Sequence, residues 1–258
     1  MGDFFGFGGY KRTPEGYMSW QHLVFVTTLM LIMIGLAVFL GIRNKNKNEK
    51  IKNKVLIWSA ILIDAIEIFR IIIICSREQS AKPILRLLPL FLCSIQLITI
   101  PLAAFAKGRV KEAALDFVFI FGILGAVLGT YGAGQNYNAY PVLSIDNVSS
   151  GLTHSISGFA SLYIAVSKMT SMKTKNIWIT FTILIGFCVV AYIANVLIPY
   201  NYMFLMRGDG TPYDVAYNVV NGSPVLYPIL VVALFLIYIS IFYLIYFLVK
   251  KQKQNKKA

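Results

Sequence analysis

The sequence predicts an all-α membrane protein: a bundle of seven transmembrane helices with the amino terminus outside and the carboxyl terminus in the cytoplasm. Three observations predict it: a shortage of charge, apolar runs of membrane-spanning length, and an uneven distribution of Lys and Arg. Of the 258 residues, 57% are hydrophobic and 14% charged, whereas a soluble domain carries roughly 25% charged residues. The mean hydropathy is +0.69. A chain of this composition is solvated by lipid.

A helix needs about 20 apolar residues to cross the hydrocarbon, because it rises roughly 1.5 Å per residue. Seven stretches qualify in order: 22–42, 55–76, 87–106, 112–132, 151–169, 177–199 and 224–249. Strands are excluded, since an open sheet edge in lipid leaves its backbone groups unsatisfied. Residues 1–21 form an extracytoplasmic segment without the apolar run of a signal peptide. Its Phe4, Phe5, Phe7, Tyr10, Tyr17 and Trp20 read as an interfacial belt. Residues 22–249 form a single transmembrane domain, and 250–258 a basic cytoplasmic tail. Alternate connectors hold seventeen Lys and Arg on one side and six on the other; the richer side is cytoplasmic by the positive-inside rule.

The net charge of +13 does not point to nucleic acid, because the lysines sit in connectors and at the tail. The three cysteines have no zinc or disulfide spacing. No phosphate-cradling loop, HExxH, GxSxG or CxxC is present, which removes NTPases, zincins and ordinary serine hydrolases. No metal or cofactor is expected, and membrane lipids are the expected partners. The Lys, Asn and Ile bias fits a bacterial plasma membrane.

Ionisable groups in hydrocarbon cost a few kcal/mol each, so those that persist face the bundle interior. Asp64, Glu67 and Arg70 recur at steps of three in the second stretch and share one broad helix face. A Glu67–Arg70 pair inside the helix is the plain structural reading. On the proposed topology His22, Glu67, Arg70, Cys93, Gln96, His154 and Asn195 fall toward the outer side, as do the long 133–150 and 200–223 loops. This distribution predicts an outward-facing polar cavity. Asp116 is expected to pair near Lys111. Gly125 and Gly129 form GxxxG, whose default explanation is close helix packing.

A lone membrane cysteine is usually structural, but Cys93 follows Pro89 by one turn and His154 is expected at similar depth. A thiol needs a neighbouring base or cation to become a nucleophile, and histidine is the usual base. The string LPLFLCSI, His154 in a Ser/Gly-rich stretch and PYNYMFL together resemble the YwaF-type integral membrane family of bacteria. That family is similar to an animal polytopic acyltransferase that makes ether phospholipids. The resemblance covers the chain in hydropathy and three short motifs in residues. It implies that the motif cysteine is Cys93, the histidine His154, and the Asn-Tyr element Asn201 and Tyr202. One departure is Phe91, where a histidine two residues before the motif cysteine is expected.

Two functions follow. In the first, Cys93 takes an acyl group from a phospholipid with His154 as base, and Asn201, Tyr202 or Gln96 donates to the oxyanion. The product is an acylated lipid or, with water as acceptor, a free acid. In the second, Glu67, Arg70 and His154 bind the polar groups of a lipid or small molecule for holding or transport, with no covalent step; His22, Gln96, Asn195, Asn201 and Tyr202 are the further candidates for substrate binding.

Overall fold

The computed structural model describes residues 2–170 and 172–255. The chain divides into two compact units, residues 1–170 and 171–258. The described residues are all-helical, with no strand among them. Seven helices reach ten residues or more: α1 (Trp20–Asn44), α2 (Glu49–Glu78), α3 (Gln96–Phe105), α4 (Gly108–Tyr131), α5 (Ile145–Val166), α6 (Ile177–Leu197) and α7 (Leu226–Asn255). Each falls on one of the seven apolar stretches.

Seven full crossings are not what these helices support. By length and apolarity, four among the described residues can cross a membrane: Trp20–Asn44, Gly108–Ala139, Thr174–Leu197 and Leu226–Gln252. This makes the chain a multi-pass membrane protein. The charges in α2, the Ser and Gly content of α5 and the shortness of α3 set those three apart. At roughly 1.5 Å per residue, ten residues of α3 rise about 15 Å, half of a bilayer's hydrocarbon.

The third stretch also departs from expectation in its backbone. Lys82–Arg86 forms a 3₁₀ turn, residues 87–95 are irregular or turn-like, and the α-helix begins only at Gln96. The cause is local. Pro83 and Pro89 lack N–H donors, and Ser94 diverts its neighbours. The Phe91 N–H donates to Ser94 Oγ at 3.0 Å, and the Ser94 hydroxyl donates back to the Phe91 carbonyl at 3.1 Å. Hydropathy registers the apolar side chains and overlooks this rearrangement. The basic tail is partly ordered, since α7 continues through Asn255 and residues 250–255 are helical. Lys256 and Lys257 of that tail lie outside the described residues.

In the first unit, α2, α3, α4 and α5 share a core of Leu56, Ile63, Ile100, Val118, Tyr163 and Ile164, with Ala37 from α1 packed into it. Side-chain caps start the helices: Ser19 accepts from the His22 N–H, Asn48 from the Ile51 N–H and Ser144 from the Asn147 N–H. Each such cap is worth about 1 kcal/mol. Helices α4 and α5 run antiparallel and in close contact. A Cβ on Gly122 would stand 2.6 Å from the Ser157 carbonyl oxygen, and one on Gly158 would stand 2.6 Å from the Ala126 Cβ. The Ser161 hydroxyl donates to the Phe119 carbonyl at 2.7 Å, adding a polar tie to that seam.

Two polar assignments differ from the sequence reading. Asp116 accepts from the Thr170 hydroxyl, while the Lys111 ammonium donates to Asn53 Oδ1 at 2.6 Å. The aromatic amino-terminal segment is also more than a belt. Trp20 is 70% exposed, as an interfacial ring would be, but the Tyr10 hydroxyl donates to Asp146 at 2.5 Å and the Tyr17 hydroxyl to the Tyr131 carbonyl at 2.6 Å.

The second unit holds α6, α7, the loop between them and the short helix Tyr213–Val219. An apolar groove of about 500 Å³ runs along it, lined by Ile185, Cys188, Tyr192, Leu205, Pro228 and Leu236 among others.

Candidate functional site

Gly125 and Gly129 are four residues apart and therefore lie on one face of α4. A Cβ on Gly125 would stand 3.7 Å from both Cα and Cβ of Cys93. A Cβ on Gly129 would stand 2.1 to 2.4 Å from three atoms of the His154 ring. The absent side chains thus leave the space in which the cysteine and the histidine sit, one helical turn apart. Gly125 faces the cysteine and Gly129 the histidine, so one face of α4 carries both. In its neutral form the imidazole keeps one nitrogen lone pair, which a base requires. The GxxxG element therefore serves more than helix packing.

Cys93 and His154 are both half-buried, so neither is sealed off. Cys93 lies in the irregular run before α3. Across from it on α2, Arg70 Nη1 donates to both Glu67 oxygens, at 3.0 and 3.2 Å. The Glu67–Arg70 pair expected from sequence is therefore present. Both charges reach the thiol, and that of Arg70 reaches His154 as well.

Two donors in this region lack acceptors. Gln96 is fully buried and its Oε1 accepts from the Thr99 hydroxyl at 3.0 Å, yet its Nε2 has no partner. The Nε of Arg70 is likewise buried and unpartnered. Such orphans cost about 1 to 3 kcal/mol each in a folded chain, so they ask for an explanation.

The remaining sequence candidates have structural duties. His22 is fully buried; its Nδ1 accepts from the Met18 N–H at 3.2 Å, and its Nε2 lies 3.1 Å from the Thr130 carbonyl. Both ring nitrogens are engaged within the protein. Asn195, in the second unit, accepts from the Tyr202 N–H at 2.6 Å and donates to the Tyr202 carbonyl at 3.0 Å. The Asn201 amide nitrogen donates to the Arg207 carbonyl at 2.7 Å and to Asp209 at 2.8 Å, and its oxygen accepts from the Met206 N–H. Both amide hydrogens of Asn201 are used, so it has no donor left for an oxyanion. Tyr202 is fully buried beside Tyr200. These three residues shape the 198–209 loop.

Sequence reasoning missed a clamp at the ends of α2 and α5. Arg77 makes a bidentate pair with Asp146 at 2.8 and 3.1 Å, donates to the Tyr10 hydroxyl at 3.0 Å, and lies over the Tyr10 and Tyr140 rings. Burial and the Asp146 carboxylate push the Tyr10 phenol well above its ordinary range, and the hydrogen bonds to Asp146 hold Arg77 firmly charged. Nothing in the sequence pairs residues 69 positions apart. The one available signal was an Asp in the first turn of α5, where a helix N-terminus favours negative charge.

A family model described as the TMEM164 family matches residues 17–246. No curated protein and no solved structure matches the chain.

Proposed function

Because this chain belongs to the TMEM164 family and carries a thiol and an imidazole against one glycine face, we propose that it is a thiol-dependent lipid acyltransferase acting at the outer leaflet. The supporting observation is the shared wall: Cys93 packs at the Gly125 position and the His154 ring at the Gly129 position, one helical turn apart on the same face of α4. In this reading seven segments traverse the bilayer with the amino terminus outside, the third as the irregular run 87–95 continued by α3, in a bacterial plasma membrane.

The Cys93 sulfur attacks the ester carbonyl of a glycerophospholipid as His154 takes the thiol proton. The tetrahedral intermediate collapses, the lysolipid alkoxide leaves with the proton from His154, and the acyl chain stays on sulfur as a thioester. The hydroxyl of a second lipid then gives its proton to His154 and attacks the thioester. An ester forms and the Cys93 thiol is regenerated with the proton from His154. Water in place of that hydroxyl yields a free fatty acid. Phe91 leaves His154 as the base without help from the expected histidine.

Non-enzymatic lipid binding is the second reading, favoured by the apolar groove of the second unit, whose roughly 500 Å³ suits an acyl chain. Intact-protein mass spectrometry after incubation with mixed phospholipids separates the two. Acyl transfer predicts an acyl-sized, hydroxylamine-sensitive increment on the wild type that is absent from Cys93→Ala and His154→Ala. No increment, with phospholipid composition unchanged over prolonged incubation, overturns the enzymatic reading in favour of binding.

A further inference from the structure

We propose that Gln96 and Arg70 form the oxyanion hole of this site, their Nε2–H and Nε–H groups binding the carbonyl oxygen of a lipid ester as it becomes an alkoxide. The inference rests on the acyl-transfer reading and names the atoms that would stabilise its charged intermediate.

The starting point is that both donors are buried and lack an acceptor. For Gln96 the direction of the side chain is constrained. Its oxygen is held by the Thr99 hydroxyl at 3.0 Å, so the amide presents its nitrogen away from that bond. The backbone leading into α3 is 3₁₀-like: the Gln96 N–H donates to the Cys93 carbonyl at 3.4 Å, and the Leu97 N–H to that of Ser94 at 3.0 Å. In 3₁₀ geometry residues three apart eclipse one another, which stacks Gln96 on the same edge as Cys93. Arg70 approaches from α2, which packs against α3 and α5.

The charge balance selects the ligand. Glu67 occupies Nη1 of Arg70 and neutralises it in its ground state, so a free dianion gains little there. A neutral ester carbonyl fits the two N–H donors at rest and gains from the guanidinium only when its oxygen becomes negative. That difference between ground and transition state is what accelerates a reaction. On attack the S–C bond forms, the carbonyl π pair moves to oxygen between the two donors, and the thiol proton moves to His154. On collapse the pair returns and the C–O bond to the lysolipid breaks. Asn201 cannot substitute, since both its amide hydrogens are spent.

The test combines single-turnover acylation of Cys93 by phosphatidylcholine in nanodiscs with trapping by a long-chain alkyl trifluoromethyl ketone, whose hemithioketal carries the same oxyanion. Gln96→Met keeps the volume and removes the donor; Arg70→Lys keeps the charge opposite Glu67 and removes the Nε–H. Each is expected to slow acylation about 100-fold, leave half-saturation by lipid within about threefold of wild type, and weaken the ketone in parallel. Wild-type acylation with both variants within about threefold in rate overturns the inference and leaves acyl transfer intact. Slow variants that also lose thermal stability reveal a structural role and overturn it too. A wild type that neither acylates nor traps the ketone at Cys93 removes the acyl-transfer reading and the oxyanion hole with it.

Discussion

Gly125 and Gly129 separate the two halves of the site at the level of single atoms. Gly129→Ala puts a methyl group within 2.1 Å of the His154 ring, so that ring must move. We expect acylation of Cys93 to fall at least tenfold in mass-spectrometric time courses, because a misplaced base loses proton-transfer geometry. Gly125→Ala meets Cys93 at an ordinary 3.7 Å contact; acylation should survive, and the melting temperature should rise as helix propensity adds roughly 0.5 to 1 kcal/mol. Equal damage from both substitutions would refute the assignment of the two walls. At this scale the sequence was legible where rarity is informative. Cys93, His154, Glu67 and Arg70 stand out as polar groups in apolar stretches, and the structure gathers them. Rarity alone does not separate a reactive histidine from one such as His22, whose two ring nitrogens are both engaged within the protein.

Arg77, Asp146 and Tyr10 tie the ends of α2 and α5, about two turns from Arg70 on one helix and from His154 on the other. Both charged side chains are largely buried, at 14% and 6% exposure. Asp146→Asn leaves the Arg77 cation without its counter-charge and should cost about 3 kcal/mol, whereas Tyr10→Phe should cost about 1 kcal/mol; thermal denaturation in detergent measures both. A melting temperature unchanged by Asp146→Asn would remove the clamp from the list of stabilising features. The phenol adds a pH dependence. Its folded-state pKa is raised by burial and by Asp146, so the stability it contributes is intact below its unfolded value of about 10 and declines as pH rises beyond it. Tyr10→Phe should abolish that alkaline decline. The clamp was invisible in the sequence because no local pattern couples residues 10, 77 and 146. The broken third stretch had visible causes in Pro83, Pro89 and Ser94, but apolar composition outweighed them.

Across the whole chain, each of the seven apolar stretches contains a helix, the third only from Gln96 onward, since helical periodicity and length are properties of local sequence. What hydropathy could not supply was the division near residue 170, which depends on which helices touch. Nor could it reveal that α7 runs on to Asn255. At about 1.5 Å per residue its 30 residues extend about 45 Å, longer than the hydrocarbon is thick, so the lysines at 250 and 251 ride on a helix beyond the apolar zone. The proposed orientation makes a separate prediction. A cysteine at exposed Lys47 should react with a membrane-impermeant maleimide only after the cells are opened, and one at exposed Asn218 should react in intact cells, each above the native-cysteine background. The reverse pattern would invert the topology, and with it the leaflet assigned to Cys93.

On the acyl-transfer reading, the irregular backbone at residues 87–95 has a kinetic consequence. Main-chain groups outside a helix persist at membrane depth only where protein buries them or water reaches them, and Cys93, half-exposed, lies within this run. Water that reaches those groups also reaches an acyl chain held on the neighbouring sulfur. The intermediate would then stand at a branch, with lipid alcohol and water competing for the same acyl group. Whether such a protein builds lipids or degrades them would be set by that partition ratio, a property of hydration at the break more than of the thiol and imidazole themselves.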